Sequence, residues 1–308
     1  MKKIYSVFRG LFAIIGIFVV IAFCLYLFVK PYYEVSINID KNFLGYCDEY
    51  VDSLRTSGDF AQDTAVFAFT IYQDTVQAQK IKDYFQLDTL FSSSMDDWDK
   101  TIAIGKFVAE NIPHDNQKED PERHAIGLWE YTKNVAPGFN CRLHSILTFE
   151  LLLAAGIPAR FVTCMPQDED DNDCHVVNEV WLSDKQKWVM IDTDMGGNFI
   201  TDLNNNPLSL QEIREHYIEN KEMIMYPSFT KGSKKKDGYY AYMAKNTYWF
   251  SCWGDLSYSQ EDWKNKNVVR DSYIYLIPNK FTPFRVSEDD IITTNADLFW
   301  SEPKICYN

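Results

Sequence analysis

Asn140-Cys141-Arg142-Leu143-His144-Ser145-Ile146-Leu147-Thr148-Phe149-Glu150-Leu151-Leu152-Leu153-Ala154-Ala155-Gly156-Ile157-Pro158 is the stretch that decides the fold. It is apolar almost all round, which predicts a helix buried on every side. Asn140 suits its N-cap. Gly156 suits its C-cap, and Pro158 blocks continuation. The turn Pro137-Gly138-Phe139-Asn140 delivers the chain to it. Cys141 opens the helix, where unpaired N–H groups and the positive end of the peptide dipoles favour an anion. The same N–H groups suit the oxyanion of a tetrahedral intermediate. A cysteine in an apolar helix is usually inert packing, so Cys141 alone decides nothing.

The chain downstream adds the missing partners. Ala159 to Met165 reads as a strand, and an acidic loop, Asp168-Glu169-Asp170-Asp171-Asn172-Asp173, follows. His175–Leu182 and Lys187–Thr193 read as a hairpin closed by Ser183-Asp184-Lys185-Gln186. A four-residue loop pairs Leu182 with Lys187, which places Asp192 opposite Val177 and Asp194 opposite His175. His175 and Asp192 are then diagonal neighbours on one face, since side chains alternate along a strand. An acid beside an imidazole fixes its tautomer and orientation. Upstream, Ser92-Ser93-Ser94 is a break, Asp96 or Asp97 caps a helix from Trp98 to Asn111, and Pro113 stops it. Residues 113–140 read as irregular, with a short helix around Ile126 to Tyr131.

Gly138-Phe139-Asn140-Cys141, Gly156-Ile157-Pro158-Ala159-Arg160, His175-Val176-Val177-Asn178-Glu179-Val180-Trp181 and Trp188-Val189-Met190-Ile191-Asp192 together resemble the transglutaminase-like superfamily. The likeness covers about residues 95–195. It implies an α+β, papain-like core in which the helix bearing the nucleophilic cysteine packs on an antiparallel sheet. By position Cys141 resembles the nucleophile, His175 the base and Asp192 the orienting acid. Asp194 is a rival acid whose spacing from Trp188 does not fit the motif. Arg142-Leu143-His144 and Asp192-Thr193 depart from common family residues without removing a catalytic group. The resemblance implies attack on an amide carbonyl through a Cys thioester, resolved by water in a protease or amidase and by an amine in a transglutaminase. A peptidoglycan peptidase is a second enzyme reading, and a surface module with an idle triad is the non-catalytic one. Trp129, Tyr131 and Asn140 are candidates for a second oxyanion donor.

The chain has 308 residues and a net charge of −14, so nucleic acid is excluded as a natural partner. A peptide or protein substrate, of the cell envelope in a bacterium, is the expected partner, with no cofactor and no resident metal. The acidic loop lacks the glycine that an EF-hand requires, and reads as solvated. Lys2, Lys3 and Arg9 precede an uncharged apolar run, Leu11 to Val29, long enough to span a bilayer. The charge bias keeps the N-terminus in the cytoplasm and the remainder outside, in a single-pass cell-membrane protein. Seven cysteines are present. Cys164 and Cys174 bracket the acidic loop, where a disulfide and two separate thiols both remain open. The reading divides the chain into a leader and anchor (1–30), an N-terminal extension (31–94), the core (95–200) and an aromatic-rich C-terminal extension (201–308). Its aromatics, among them Tyr239, Tyr240, Tyr242, Trp249, Phe250 and Trp253, read as core packing or as a substrate-facing wall.

Overall fold

The computed structural model describes residues 35–37, 45–226, 236–265 and 272–307. The Leu11–Val29 segment lies outside the described residues. No helix among the described residues is long and apolar enough to cross a membrane.

The helices are α1 (Gly45–Thr56), α2 (Thr75–Phe85), α3 (Asp97–Asn111), α4 (Ala125–Asn134), α5 (Cys141–Ala154), α6 (Leu210–Glu219), α7 (Lys236–Asn246) and α8 (Ala296–Phe299). The strands are β1 (Val35–Ile37), β2 (Thr70–Gln73), β3 (Ala159–Met165), β4 (His175–Leu182), β5 (Lys187–Ile191), β6 (Ile200–Thr201), β7 (Met223–Met225), β8 (Trp249–Trp253), β9 (Asp255–Leu256), β10 (Tyr273–Leu276), β11 (Ile291–Thr293) and β12 (Lys304–Tyr307).

Helix α5 is the hub, as its composition demands. Every residue from Leu143 to Ala154 is buried. Its Leu, Ile and Phe side chains each contribute about 1.5–3 kcal/mol on leaving water. Asn140 is the N-cap, and its side chain accepts from the Leu143 N–H. At the other end Gly156 adopts φ +82°. Its N–H bonds to Leu153 O at 2.9 Å and that of Ile157 bonds to Leu152 O at 2.9 Å, the paired bonds of a Schellman ending. Gly138 is required on the approach, because a Cβ there would lie 2.2 Å from Pro113 O. Further upstream, helix α3 is capped by Asp96, whose side chain accepts from Asp99 N–H.

Helix α5 packs on a six-stranded sheet of order β11-β10-β8-β3-β4-β5. Ser145 and Asn178 stitch helix to sheet: Ser145 donates to Val176 O, and the Asn178 amide donates to Ser145 O, each at 2.9 Å. The β4–β5 hairpin has the expected register, Leu182 against Lys187 and Trp181 against Trp188. The ladder stops at Asn178 and Ile191. Asp192 then exchanges both main-chain bonds with Asn198, at 2.9 Å each. Gly196 and Gly197, at φ +102° and +74°, make that tight return possible. The register is the expected one to the end of the ladder, one pair short of Val177 and Asp192, whereas Asp194 lies in the turn beyond it and has no ladder pairing with His175, which corrects that part of the expectation.

The sheet continues well past residue 200. Strand β8 pairs with β3, β10 with β8, and β11 runs parallel to β10. What reads as a C-terminal extension thus builds half of the central sheet. The anchoring element is an ion pair withdrawn from water. Arg160 Nη2 lies 2.7 Å from Glu179 Oε2, with both side chains at 0% exposure. The guanidinium is ringed by Trp188, Phe69 and Phe299 at 4.3, 4.7 and 4.8 Å. Glu179 also accepts from Leu210 N–H and Trp300 Nε1–H, so one carboxylate ties strand, α6 and C-terminus together.

Candidate active site

The site forms where the start of α5, the start of β4 and the turn after β5 converge. Cys141 is half-buried there, at the N-terminal end of the apolar helix. His175 begins β4 and is wholly buried. Its Nε2 lies 2.6 Å from Asp192 Oδ2. With Nε2 held by the acid, Nδ1 is the nitrogen left for the thiol; it is buried and bonds to no nitrogen or oxygen. A His175 ring nitrogen, Cys141 Sγ and an Asp194 oxygen all lie within 4.8 Å of one another. Burial opposes a charged His175, yet the Asp192 carboxylate outweighs it, with Cys141 adding to it, and the imidazole is held well above its ordinary pKa. His175 is therefore the group placed to carry the proton of the Cys141 thiol.

The other thiols differ. Burial pushes Cys252 up to about 12 and Cys47 to about 11, and Cys164 well above the usual thiol range. Cys164 stands opposite His175 in the β3–β4 ladder, and Cys164 and Cys174 are both free thiols. The disulfide between them is not formed.

The cleft around Cys141 has a volume of about 670 Å³. Its walls include His114, Asn116, Asn140, Cys174, Met195 and Tyr242. Trp129 and Tyr131 are not in it: Trp129 stacks on Phe107 at 5.1 Å, and the Tyr131 hydroxyl accepts from Lys118 N–H. Of the three oxyanion candidates only Asn140 reaches the cleft. The aromatics divide, with Tyr240 and Phe250 in the core and Tyr239 and Tyr242 on the cleft wall. The Tyr242 ring meets the His175 ring edge-on at 5.2 Å. Its hydroxyl donates to Cys174 O and Asp173 Oδ1, each at 3.1 Å, and fixes the approach to His175.

The acidic loop is docked rather than simply solvated. Lys245 lies 2.7 Å from Asp171 and 3.3 Å from Asp173, Arg285 pairs with Asp170, and Glu169 accepts from the Phe284 and Arg285 N–H groups. Cations of the C-terminal third supply the neutralisation. Arg142 is similarly pinned, 2.6 Å from the buried Glu261, which also accepts from Trp253 Nε1–H at 2.7 Å and from the Tyr273 hydroxyl at 3.2 Å.

Two residues that the sequence did not flag belong here. His114 Nδ1 lies 2.7 Å from Asp194 Oδ1, and His144 Nε2 lies 3.5 Å from the same oxygen. Burial favours the charge-free form of Asp194, but the His114 hydrogen bond and the neighbouring imidazoles win and lower its pKa. Burial lowers that of His144. The available signal was Pro113, which ends α3 and sets His114 beside Phe139 in a parallel bridge.

Residues 87–193 match the family model of the transglutaminase-like superfamily. No curated protein matches the chain. Among solved structures, a candidate cysteine protease from Cytophaga hutchinsonii is similar at 15% identity and TM-score 0.30, over 46% of this chain and 41% of that one. Legionella pneumophila LapG, EGTA-treated, is similar at 14% identity and TM-score 0.29, over 54% of this chain and 75% of that one. The chain thus spans about two fifths of the length of the first. The family match covers the helix, the hairpin and the cysteine, histidine and aspartate that they carry, and the chain therefore contains a domain of the transglutaminase-like superfamily.

Proposed function

We propose that this domain is a cysteine enzyme that cleaves an amide bond of a peptide or protein by acyl transfer. The observation that carries the reading is His175, buried between Asp192 at 2.6 Å and the Cys141 thiol, at the wall of an open cleft. In this mechanism the Cys141 thiolate attacks the carbonyl carbon. The first turn of α5 directs N–H groups at the oxyanion that forms. His175 gives its proton to the departing amine, leaving a thioester. The neutral imidazole then takes a proton from water as the water oxygen bonds to the thioester carbon; the C–S bond breaks, the acid leaves, and the thiolate beside a protonated His175 is restored. Asp192 holds the imidazole in the tautomer that both transfers need. An amine replacing water in the last step yields transamidation from the same thioester.

We also propose that the domain works outside the cytoplasm, tethered by Leu11–Val29, with cell-envelope peptides or proteins as substrates. The apolar run and its basic leader support this reading.

The test is acylation of the full-length protein by an amide-directed electrophile, alongside a panel of peptide amides with and without an added primary amine. An adduct on Cys141, amine release from a peptide amide, and loss of both in Cys141→Ser are expected. A wild-type protein that gives neither adduct nor turnover would be a binding module with an idle triad.

A further inference from the structure

Beside the nucleophile and its base stands a third donor, Asp194, that amide cleavage does not use. Asp194 comes from the turn after β5, His175 from the start of β4 and Cys141 from the start of α5. One donor atom from each lies within 4.8 Å of the other two. We infer that Cys141 Sγ, His175 Nδ1 and an Asp194 oxygen form a reversible binding site for a Zn²⁺-class divalent cation, which masks the thiol when bound.

The donor set argues for that class. A thiolate, an imidazole and one carboxylate are ligands of zinc and its neighbours, while calcium and magnesium require cages of oxygen. Around a tetrahedral zinc, adjacent donors stand roughly 3.3–3.6 Å apart, given metal–ligand bonds of about 2.0–2.3 Å. The widest separation allowed by the structure, 4.8 Å, exceeds this by about 1.2–1.5 Å, within reach of a rotation of the half-exposed Cys141 side chain about its first torsion.

The surrounding groups are already arranged for such a metal. His175 Nδ1 is buried without a nitrogen or oxygen partner, and its other nitrogen is held by Asp192 at 2.6 Å. A carboxylate on the far side of a ligand imidazole fixes the ring and raises its basicity. Asp194 is oriented in turn by His114 at 2.7 Å and is 1% exposed. Three ligands of a tetrahedral site are thus present, and the fourth direction opens on the cleft, where water or a substrate carbonyl completes the set. Binding forms S–Zn and Nδ1–Zn bonds and releases to water the proton that Cys141 and His175 share, so the nucleophile is blocked without oxidation.

The experiment reads binding directly and does not depend on turnover. Full-length protein is titrated with Co²⁺, whose absorption reports a tetrahedral site and a thiolate ligand, and then with Zn²⁺. One Co²⁺ per chain with a thiolate charge-transfer band, displaced by one equivalent of Zn²⁺, is expected. Zn²⁺ should shield Cys141 from iodoacetamide in the wild type, and EDTA should restore labelling. Asp194→Asn and Asp192→Asn should each weaken Zn²⁺ binding by about ten- to a hundredfold, and the band should persist in Cys174→Ser. A titration without the charge-transfer band, Zn²⁺ that leaves Cys141 labelling unchanged, or a band lost in Cys174→Ser rather than Cys141→Ala would overturn the assignment.

Discussion

Asp192 and Asp194 share one turn yet serve different imidazoles: Asp192 Oδ2 lies 2.6 Å from His175, and Asp194 Oδ1 lies 2.7 Å from His114. The two acids therefore predict unequal kinetics. Asp192→Asn keeps the shape but presents the wrong group to His175 Nε2, and turnover should fall by up to about 10⁴. Asp194→Asn should lower it far less, because Asp192 still holds the base. Steady-state rates for both variants beside Cys141→Ser check this; a larger loss in Asp194→Asn would reassign the orienting acid.

Thiol reactivity should single out Cys141 among the cysteines of the core. Cys47, Cys164 and Cys252 are buried with raised thiol pKa values, and burial raises Cys174 too. Iodoacetamide at neutral pH should modify Cys141 ahead of these four. His175→Ala should slow Cys141 while leaving the rate at Cys306 unchanged, as read by peptide mapping over time. Equal slowing at both positions would point to a general change in structure.

Arg160 and Glu179 are a test of the fold itself. Removing one member of a buried pair leaves the other charge stranded, at a cost of about 3–5 kcal/mol. Arg160→Leu should destabilise by that amount in urea unfolding, and adding Glu179→Gln should recover part of the loss. Additive losses in the double variant would show that ring packing around the guanidinium, rather than the charge pair, dominates.

Glu150 predicts how stability changes with pH. It is fully buried, and burial raises its pKa to about 7 against the opposing Ala125 and Ser259 N–H groups. The folded protein then holds a proton that the unfolded chain releases nearer pH 4.5, so stability falls as pH rises between those values. The loss is about 3 kcal/mol at most, from roughly 1.4 kcal/mol per pH unit. Denaturation at pH 5 and pH 8 should show a smaller difference in Glu150→Gln than in the wild type. Equal differences in the two proteins would refute the assignment.

What could be read from the sequence depended on how local the determining forces were. The ends of α5 were legible because Asn140 and Gly156 each act within one turn, through a side-chain cap and a positive φ. The hairpin register was legible because four loop residues, Ser183 to Gln186, set it. The turn after Asp192 was not, since its return bonds to Asn198 depend on positive φ angles at Gly196 and Gly197. His114 escaped notice because its partner, Asp194, is eighty residues away in sequence. Strand β8 was hidden by being buried throughout, which removes the alternation by which a half-exposed strand is recognised.

The passage of β8 alongside β3 bears on how the protein can be handled. Thr163, Cys164 and Met165 pair with Ser251, Phe250 and Trp249. A fragment cut near residue 200, just beyond the family match, would bare that row of main-chain donors and acceptors on a flat, apolar strand. Such a margin recruits strands from other molecules. The truncated protein should therefore self-associate on expression, and any portable version of the catalytic unit has to retain the chain through Thr293.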